Sequence, residues 1–221
     1  MPHPYRYNPG MLSVVIQAGG ESRRMGRDKG LAPFLGQPMI VRLAARLQPL
    51  ADELLLTTNQ PEAYAFLGLP LFSDLAPGMG ALGGLYTALS AAVHPLAAVV
   101  ACDMPFASPE LLAALRDKLL DGGYDLAIPR SPAGLEPFHA VYRRETCLPH
   151  IQAALQGGKR RVDAWFGAMQ VWESSPQESL RYDPRQLAFL NVNTPEELAA
   201  AEQIAVQVEV STLTSLPPEE E

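Results

Sequence analysis

Leu12-Ser13-Val14-Val15-Ile16-Gln17-Ala18-Gly19-Gly20-Glu21-Ser22-Arg23-Arg24-Met25-Gly26-Arg27-Asp28-Lys29 decides the fold class, because an apolar run empties directly into a glycine pair and a basic loop. Residues 12–17 do not alternate as a half-exposed strand would. They read as a strand covered on both faces, the form taken in a parallel sheet wrapped by helices. Gly19 and Gly20 let backbone N–H groups approach an anion with no Cβ in the way, and basic side chains arrive within the same short loop. The pattern is a phosphate cradle, and a nucleoside triphosphate is its natural tenant.

The rest of the chain continues the rhythm. Apolar runs at Leu54–Thr58, Leu69–Phe72, Ala97–Cys102 and Leu126–Ile128 alternate with helical patterns near Met39–Leu50, Leu82–Val93 and Pro109–Leu120. This predicts an α/β, Rossmann-like three-layer sandwich with a mostly parallel central sheet. Ligands of such sheets bind beyond the carboxyl ends of the strands. The loops expected there, Ala18–Lys29, Asp74–Gly84 and Asp103–Pro109, carry the conspicuous residues. Further on, Glu136–Tyr142 reads as a strand, Glu145–Gln156 as a helix, Gly157-Gly158 as a turn, and Met169–Glu173 as another strand. Asn191-Val192-Asn193 reads as a strand end running into a helix capped by Thr194, with Pro195 at its first position and Glu197 completing a capping box. The expected organisation is a flexible extension over 1–11, one domain over 12–205 and a disordered acidic tail over 206–221.

Composition narrows the function classes. The chain has 221 residues, 48% of them hydrophobic, enough for one domain with a substantial core. Its formal charge of −7 disfavours nucleic acid and anionic lipid as partners. Two cysteines, far apart, form neither a disulfide framework nor a zinc pattern, which suits a reducing cytoplasm. No apolar run approaches the ~18 residues of a membrane span, and Met1–Arg6 opens no signal-peptide core, so a soluble, cytoplasmic protein is expected.

Two motifs compete with the first loop. Gly78-Met79-Gly80-Ala81-Leu82-Gly83 is a literal G-x-G-x-x-G before a helix, but Asp74-Leu75-Ala76-Pro77 separates it from the preceding strand, where a dinucleotide fingerprint needs its first glycine in the turn itself. A Walker loop fails as well, since Arg27 and Asp28 intervene between Gly26 and Lys29 and no Ser or Thr follows. Asp103 is the second anchor. It leaves the buried run Leu96–Cys102, where a carboxylate needs a partner, and a divalent cation bridging to phosphate oxygens would be one.

The motifs Ala18-Gly19-Gly20-x-Ser22-x-Arg24-Met25-Gly26-x-Asp28-Lys29, Gly80–Leu85, Cys102–Phe106, Glu136-Pro137 and Asn191–Pro195 together resemble the molybdenum cofactor guanylyltransferase family, within the wider nucleotidyltransferases. The resemblance runs from about Leu12 to Gln203. It implies transfer of GMP from GTP to the terminal phosphate of molybdenum-molybdopterin, with Mg²⁺ or Mn²⁺ on Asp103 and with Lys29 and Arg24 beside the phosphates. It also implies a nucleotide site made of Gln17, Ala18, Gly19, Gly20, Lys29, Thr57, Asn59, Asp74 and Asp103, in which Gly19 leaves room for guanine. Lys159, Arg160, Arg161, Asn191 and Asn193 are similar to segments the family places near the pterin acceptor. Transient contacts with cofactor-delivery proteins and apo-molybdoenzymes would follow. A cytidylyl- or sugar-phosphate nucleotidyltransferase and a non-catalytic nucleotide-binding adaptor are the alternative readings. His139 reads as a core histidine and Trp165-Phe166 as core aromatics.

Overall fold

The computed structural model describes residues 8–19 and 28–214. Seven strands and five longer helices carry the architecture: β1 (Leu12–Ala18), α1 (Met39–Leu47), β2 (Glu53–Thr58), β3 (Leu71–Phe72), α2 (Gly80–Ala91), β4 (Leu96–Ala101), α3 (Pro109–Asp121), β5 (Leu126–Ser131), β6 (His139–Arg143), α4 (Arg144–Gln156), β7 (Val171–Ser174) and α5 (Pro195–Thr214). The strands form one sheet in the order β7-β5-β6-β4-β1-β2-β3, with Gly134–Leu135 added beside β5. Every pairing on this path is parallel except those of β6, which runs antiparallel to both β4 and β5.

Alternation along β1 builds the layers. Leu12, Val14, Ile16 and Ala18 pack with Ile40, Leu43 and Leu47 of α1 and with Leu111, Leu112 and Leu115 of α3. Val15 faces the other way, with Leu55 and Val99, against Leu82, Leu85 and Leu89 of α2 and Ile151 of α4. Both faces of the central strand are therefore dry, which is why its sequence is continuously apolar. A third cluster, Phe34, Met39, Phe106, Val192, Leu198 and Ala201, fastens the start of α5 beside the Pro33–Phe34/Gln37–Pro38 hairpin. α3 starts where Ser108, in the β region, accepts the Leu111 N–H at 3.0 Å and Pro109 takes the first helical position.

Several expected bounds are corrected. The third strand shrinks to Leu71–Phe72; Pro70 has no N–H to donate, and its carbonyl accepts from Leu56 N–H. β6 begins at His139, leaving Glu136, Pro137 and Phe138 as a loop at the sheet's rim. Asn191–Asn193 is not a strand: Val192 N–H donates to the Asp103 carbonyl at 2.8 Å, and no ladder forms. The capping box at Thr194 does form, with Glu197 accepting from the Asn193 and Thr194 amides and Thr194 accepting from Glu197. The helix it starts runs on to Thr214, so residues 206–214, expected in a disordered tail, are helical. Residues 1–7 and 215–221 lie outside the described part, and of the expected extension only residues 8–11 are described.

Candidate active site

Parallel strands β1, β2, β3 and β4 all end on one rim, and the antiparallel β6 begins there, so five loops converge. They enclose a cleft of about 1210 Å³ reaching from Thr57, Asn59 and Asp74 at one end, past Gly19 and Asp103, to Glu136, Phe138 and Asn191 at the other. All three loops expected at the mouth contribute. Gly20 and Arg24 lie outside the described residues.

Lys29 reaches the cleft wall through Asp103. Its Nζ donates to Asp103 Oδ2 at 2.9 Å and to Asn193 Oδ1 at 2.6 Å, joining the first loop, the exit of β4 and the entry to α5. The two charged side chains are about one-fifth exposed, 20% and 18%. The carboxylate at the strand exit thus has a lysine as its partner within the protein. Asp103 lines the cleft, where its carboxylate could hold one divalent ion shared with phosphate oxygens. Among the described residues no three His, Cys, Asp or Glu side chains gather into a protein-only metal cage. Cys102, next to Asp103, is no nucleophile: burial and then the neighbouring carboxylates hold its thiol far above its ordinary pKa.

Asp28 anchors the loop from beneath. The buried Tyr64 hydroxyl and the Gly30 N–H both donate to its Oδ1. Burial and the bond to Asp28 raise the Tyr64 pKa strongly, so the phenol stays a donor. Gly30 is required here, because a Cβ would lie 2.6 Å from the Tyr64 oxygen.

At the end expected to hold the nucleotide, Gln17 and Thr57 are register partners on adjacent strands, and both face α2, as Val15 and Leu55 do. Among the described residues Gln17 Oε1 and Thr57 Oγ1 are buried without a hydrogen-bond partner, the kind of orphan that costs about 1–3 kcal/mol until something fills it. Gly84 of α2 makes room for the Gln17 amide: a Cβ there would sit 1.7 Å from Nε2. Among the described residues a Cβ on Gly19 would meet nothing within 4 Å beyond its chain neighbours, so the space beside it is open on that side. Ala18 ends β1 and lines the same cleft. Asp74 caps its own turn, Oδ1 accepting from Ala76 N–H at 2.9 Å and from Thr87 Oγ1 at 2.8 Å, while Asn59 Oδ1 accepts the Asp74 N–H.

The acceptor residues are only partly gathered. Asn191 lines the cleft, but Asn193 spends its side-chain oxygen on Lys29. Lys159, Arg160 and Arg161 are exposed on a loop whose Arg160 carbonyl accepts from Leu82 N–H, which brings it against the start of α2 and beside Gly80 of the cleft wall. Arg161 pairs with Asp163 at 2.8 Å, leaving Lys159 and Arg160 as the nearer cations. His139 is fully buried and accepts the Ser108 N–H through Nε2, a core role. The sequence marks Gly84 only as part of the Gly80–Leu85 motif, where two consecutive glycines inside a helix pattern signal close packing, and Tyr64 has no motif to mark it.

A family model described as the MobA-like NTP transferase domain matches residues 14–171. A Chloroflexus aggregans protein named "Probable molybdenum cofactor guanylyltransferase" is 39% identical over 194 residues, covering 85% of this chain and 92% of the relative. The molybdenum cofactor guanylyltransferase of Shewanella woodyi is 34% identical, covering 84% and 93%. Among solved structures, the molybdopterin-guanine dinucleotide biosynthesis protein A of Archaeoglobus fulgidus superposes with a TM-score of 0.77 at 25% identity, covering 88% of this chain and 99% of that one. No helix among the described residues is long and apolar enough to cross a membrane.

Proposed function

The chain belongs to the molybdenum cofactor guanylyltransferase family of MobA-like NTP transferases, and on that premise we propose that it transfers GMP from GTP to the terminal phosphate of molybdenum-molybdopterin. An oxygen of the acceptor phosphate attacks the α-phosphorus of GTP. The bond from that phosphorus to the bridging oxygen breaks, and pyrophosphate leaves with the electron pair. No protein nucleophile is required, so catalysis rests on alignment and on neutralising charge.

One observation carries the reading: Asp103, paired with Lys29, lines a cleft with an orphaned polar wall at one end and a basic loop at its border. Lys29 neutralises phosphate oxygens, and the Gly19 and Gly20 amides and Arg24 complete the cradle. Asp103 is the residue that would hold Mg²⁺, which supplies positive charge to the leaving pyrophosphate when bound. The Gln17 amide and Thr57 hydroxyl are buried groups that a base or ribose would satisfy. Asp74 and Asn59, which hold each other in place, shape the end of that half. The open space at Gly19 supports guanine over a site narrowed by a methyl group. Lys159 and Arg160 give the anionic acceptor a local positive border in a chain of net charge −7. The two cysteines are free and buried, which supports a reducing, cytoplasmic setting. Docking of cofactor-delivery proteins and apo-molybdoenzymes belongs to the same reading.

Purified protein with GTP, Mg²⁺ and molybdopterin should release pyrophosphate and form the guanine dinucleotide. Thermal shifts should be larger with GTP than with CTP or UTP. GTP binding without pyrophosphate release on supplying molybdopterin would reduce the chain to a nucleotide-binding adaptor.

A further inference from the structure

Glu136 is an acidic side chain on the wall of a cleft built for phosphates. It lines that cleft from the loop between β5 and β6, and among the described residues no cation pairs with it. Its one side-chain partner is Ser131, whose hydroxyl donates to Oε1 at 2.6 Å while accepting the Ala133 N–H at 3.0 Å. The backbone is held as firmly: Glu136 N–H donates to the Pro129 carbonyl, and the Glu136 carbonyl accepts from His139 N–H. Partial burial raises its pKa, and the bond from Ser131 opposes the rise. A half-buried carboxylate kept in place by a dedicated hydroxyl has been positioned, and a carboxylate repels phosphate. It therefore faces a part of the substrate that donates hydrogen bonds.

Sheet order says which part. The orphaned Gln17 and Thr57 lie on β1 and β2, whereas Glu136 precedes β6, on the far side of β4. Two strand spacings put it about 10 Å from β1, beyond the Asp103 strand exit and away from the nucleotide half. We infer that Glu136 selects the acceptor by receiving two hydrogen bonds from the 2-amino group and adjacent ring N–H of a pterin's 2-amino-4-oxo edge. This rests on the proposed guanylyl transfer to a pterin. It adds the residue that reads the heterocycle, where Lys159, Arg160 and Asn191 address only the acceptor's charge and polar rim. A charge-assisted, two-bond contact of this kind is worth about a tenfold preference or more.

The test uses the full chain with GTP and Mg²⁺ present, titrated with 6-hydroxymethylpterin or with its 2-oxo analogue, 6-hydroxymethyllumazine, and followed by ligand fluorescence. Neither probe carries a phosphate, so neither is consumed. The wild type should prefer the pterin about tenfold. Glu136→Gln and Glu136→Ala should each bind it about tenfold more weakly and lose the preference over lumazine, with the thermal shift given by GTP unchanged. Variants that keep the pterin preference overturn the inference, and so does a loss of GTP affinity in place of pterin affinity, which would put Glu136 on the guanine. Wild-type protein that makes the dinucleotide yet ignores the 2-amino group overturns the role of Glu136 and leaves the reaction standing. Wild-type protein that binds GTP but never releases pyrophosphate with molybdopterin removes the reaction, and the inference with it.

Discussion

Lys29 and Asp103, 74 positions apart in sequence, meet with the ammonium 2.9 Å from the carboxylate. Each is the other's charge partner. In the proposed reaction the lysine would turn to phosphate oxygens and the aspartate would be free to hold a divalent ion. Lys29→Ala and Asp103→Ala should therefore each lower turnover by ~10²- to 10³-fold. With both side chains about one-fifth exposed, losing the pair should cost on the order of 1 kcal/mol, or ~2–4 °C in Tm. A folded variant of either residue turning over at near the wild-type rate contradicts the proposed mechanism.

Two glycines separate the nucleotide site from the fold that carries it. Gly19→Ala places a methyl in open space, so Tm should hold while the KM for GTP rises about tenfold or more. Gly84→Ala acts differently, because the new methyl overlaps the Gln17 amide and must displace it. Alanine also favours the helix by about 1 kcal/mol over glycine, so GTP affinity should fall with little loss of stability. Adding Gln17→Ala to Gly84→Ala should then change GTP binding little further. Additive losses in the double variant would place Gln17 outside the path by which Gly84 acts.

Tyr64, Asp28 and Gly30 form a second coupled group. Gly30→Ala drives a methyl against the Tyr64 hydroxyl, which displaces the donor from Asp28 and unsettles the backbone leading to Lys29. Its expected effect is a drop in kcat of about tenfold with a smaller change in the KM for GTP. Tyr64→Phe removes the clashing oxygen, so the double variant should be more stable than Gly30→Ala alone. A double variant no better than the single one removes Tyr64 as the cause.

β1 and its loop were legible because two local signals coincide there: an apolar run without alternation and a glycine pair at its exit. The orientation of β6 was not, since nothing in His139–Arg143 marks a strand as antiparallel; that follows from how Glu136-Pro137-Phe138 turns the chain at the rim. Asp103 stood out by its place after a buried strand. Its pairing with Lys29 did not, because that contact depends on three loops meeting, and Asn193 joins it through a tertiary contact with no local pattern. The run of α5 past residue 205 was missed for a compositional reason: the final glutamates drew attention from the helix-compatible stretch before them.

His139 sets the acid limit of the fold. It is fully buried, and burial lowers its pKa to about 4 from 6.5, while Nε2 is occupied accepting the Ser108 N–H at the start of α3. In the unfolded chain the imidazole takes up its proton as pH falls through 6.5; in the fold it stays neutral until about pH 4. Between those limits the unfolded state binds more protons, so stability is full above pH 6.5 and falls as pH drops toward 4. The total is about 3 kcal/mol, the equivalent of a pKa difference of about 2.5. Melting temperature should therefore decline across this window in the wild type. His139→Gln, which keeps an acceptor for Ser108 but does not titrate, should begin less stable at neutral pH and decline less steeply. Parallel declines in the two proteins would assign the acid sensitivity to other groups.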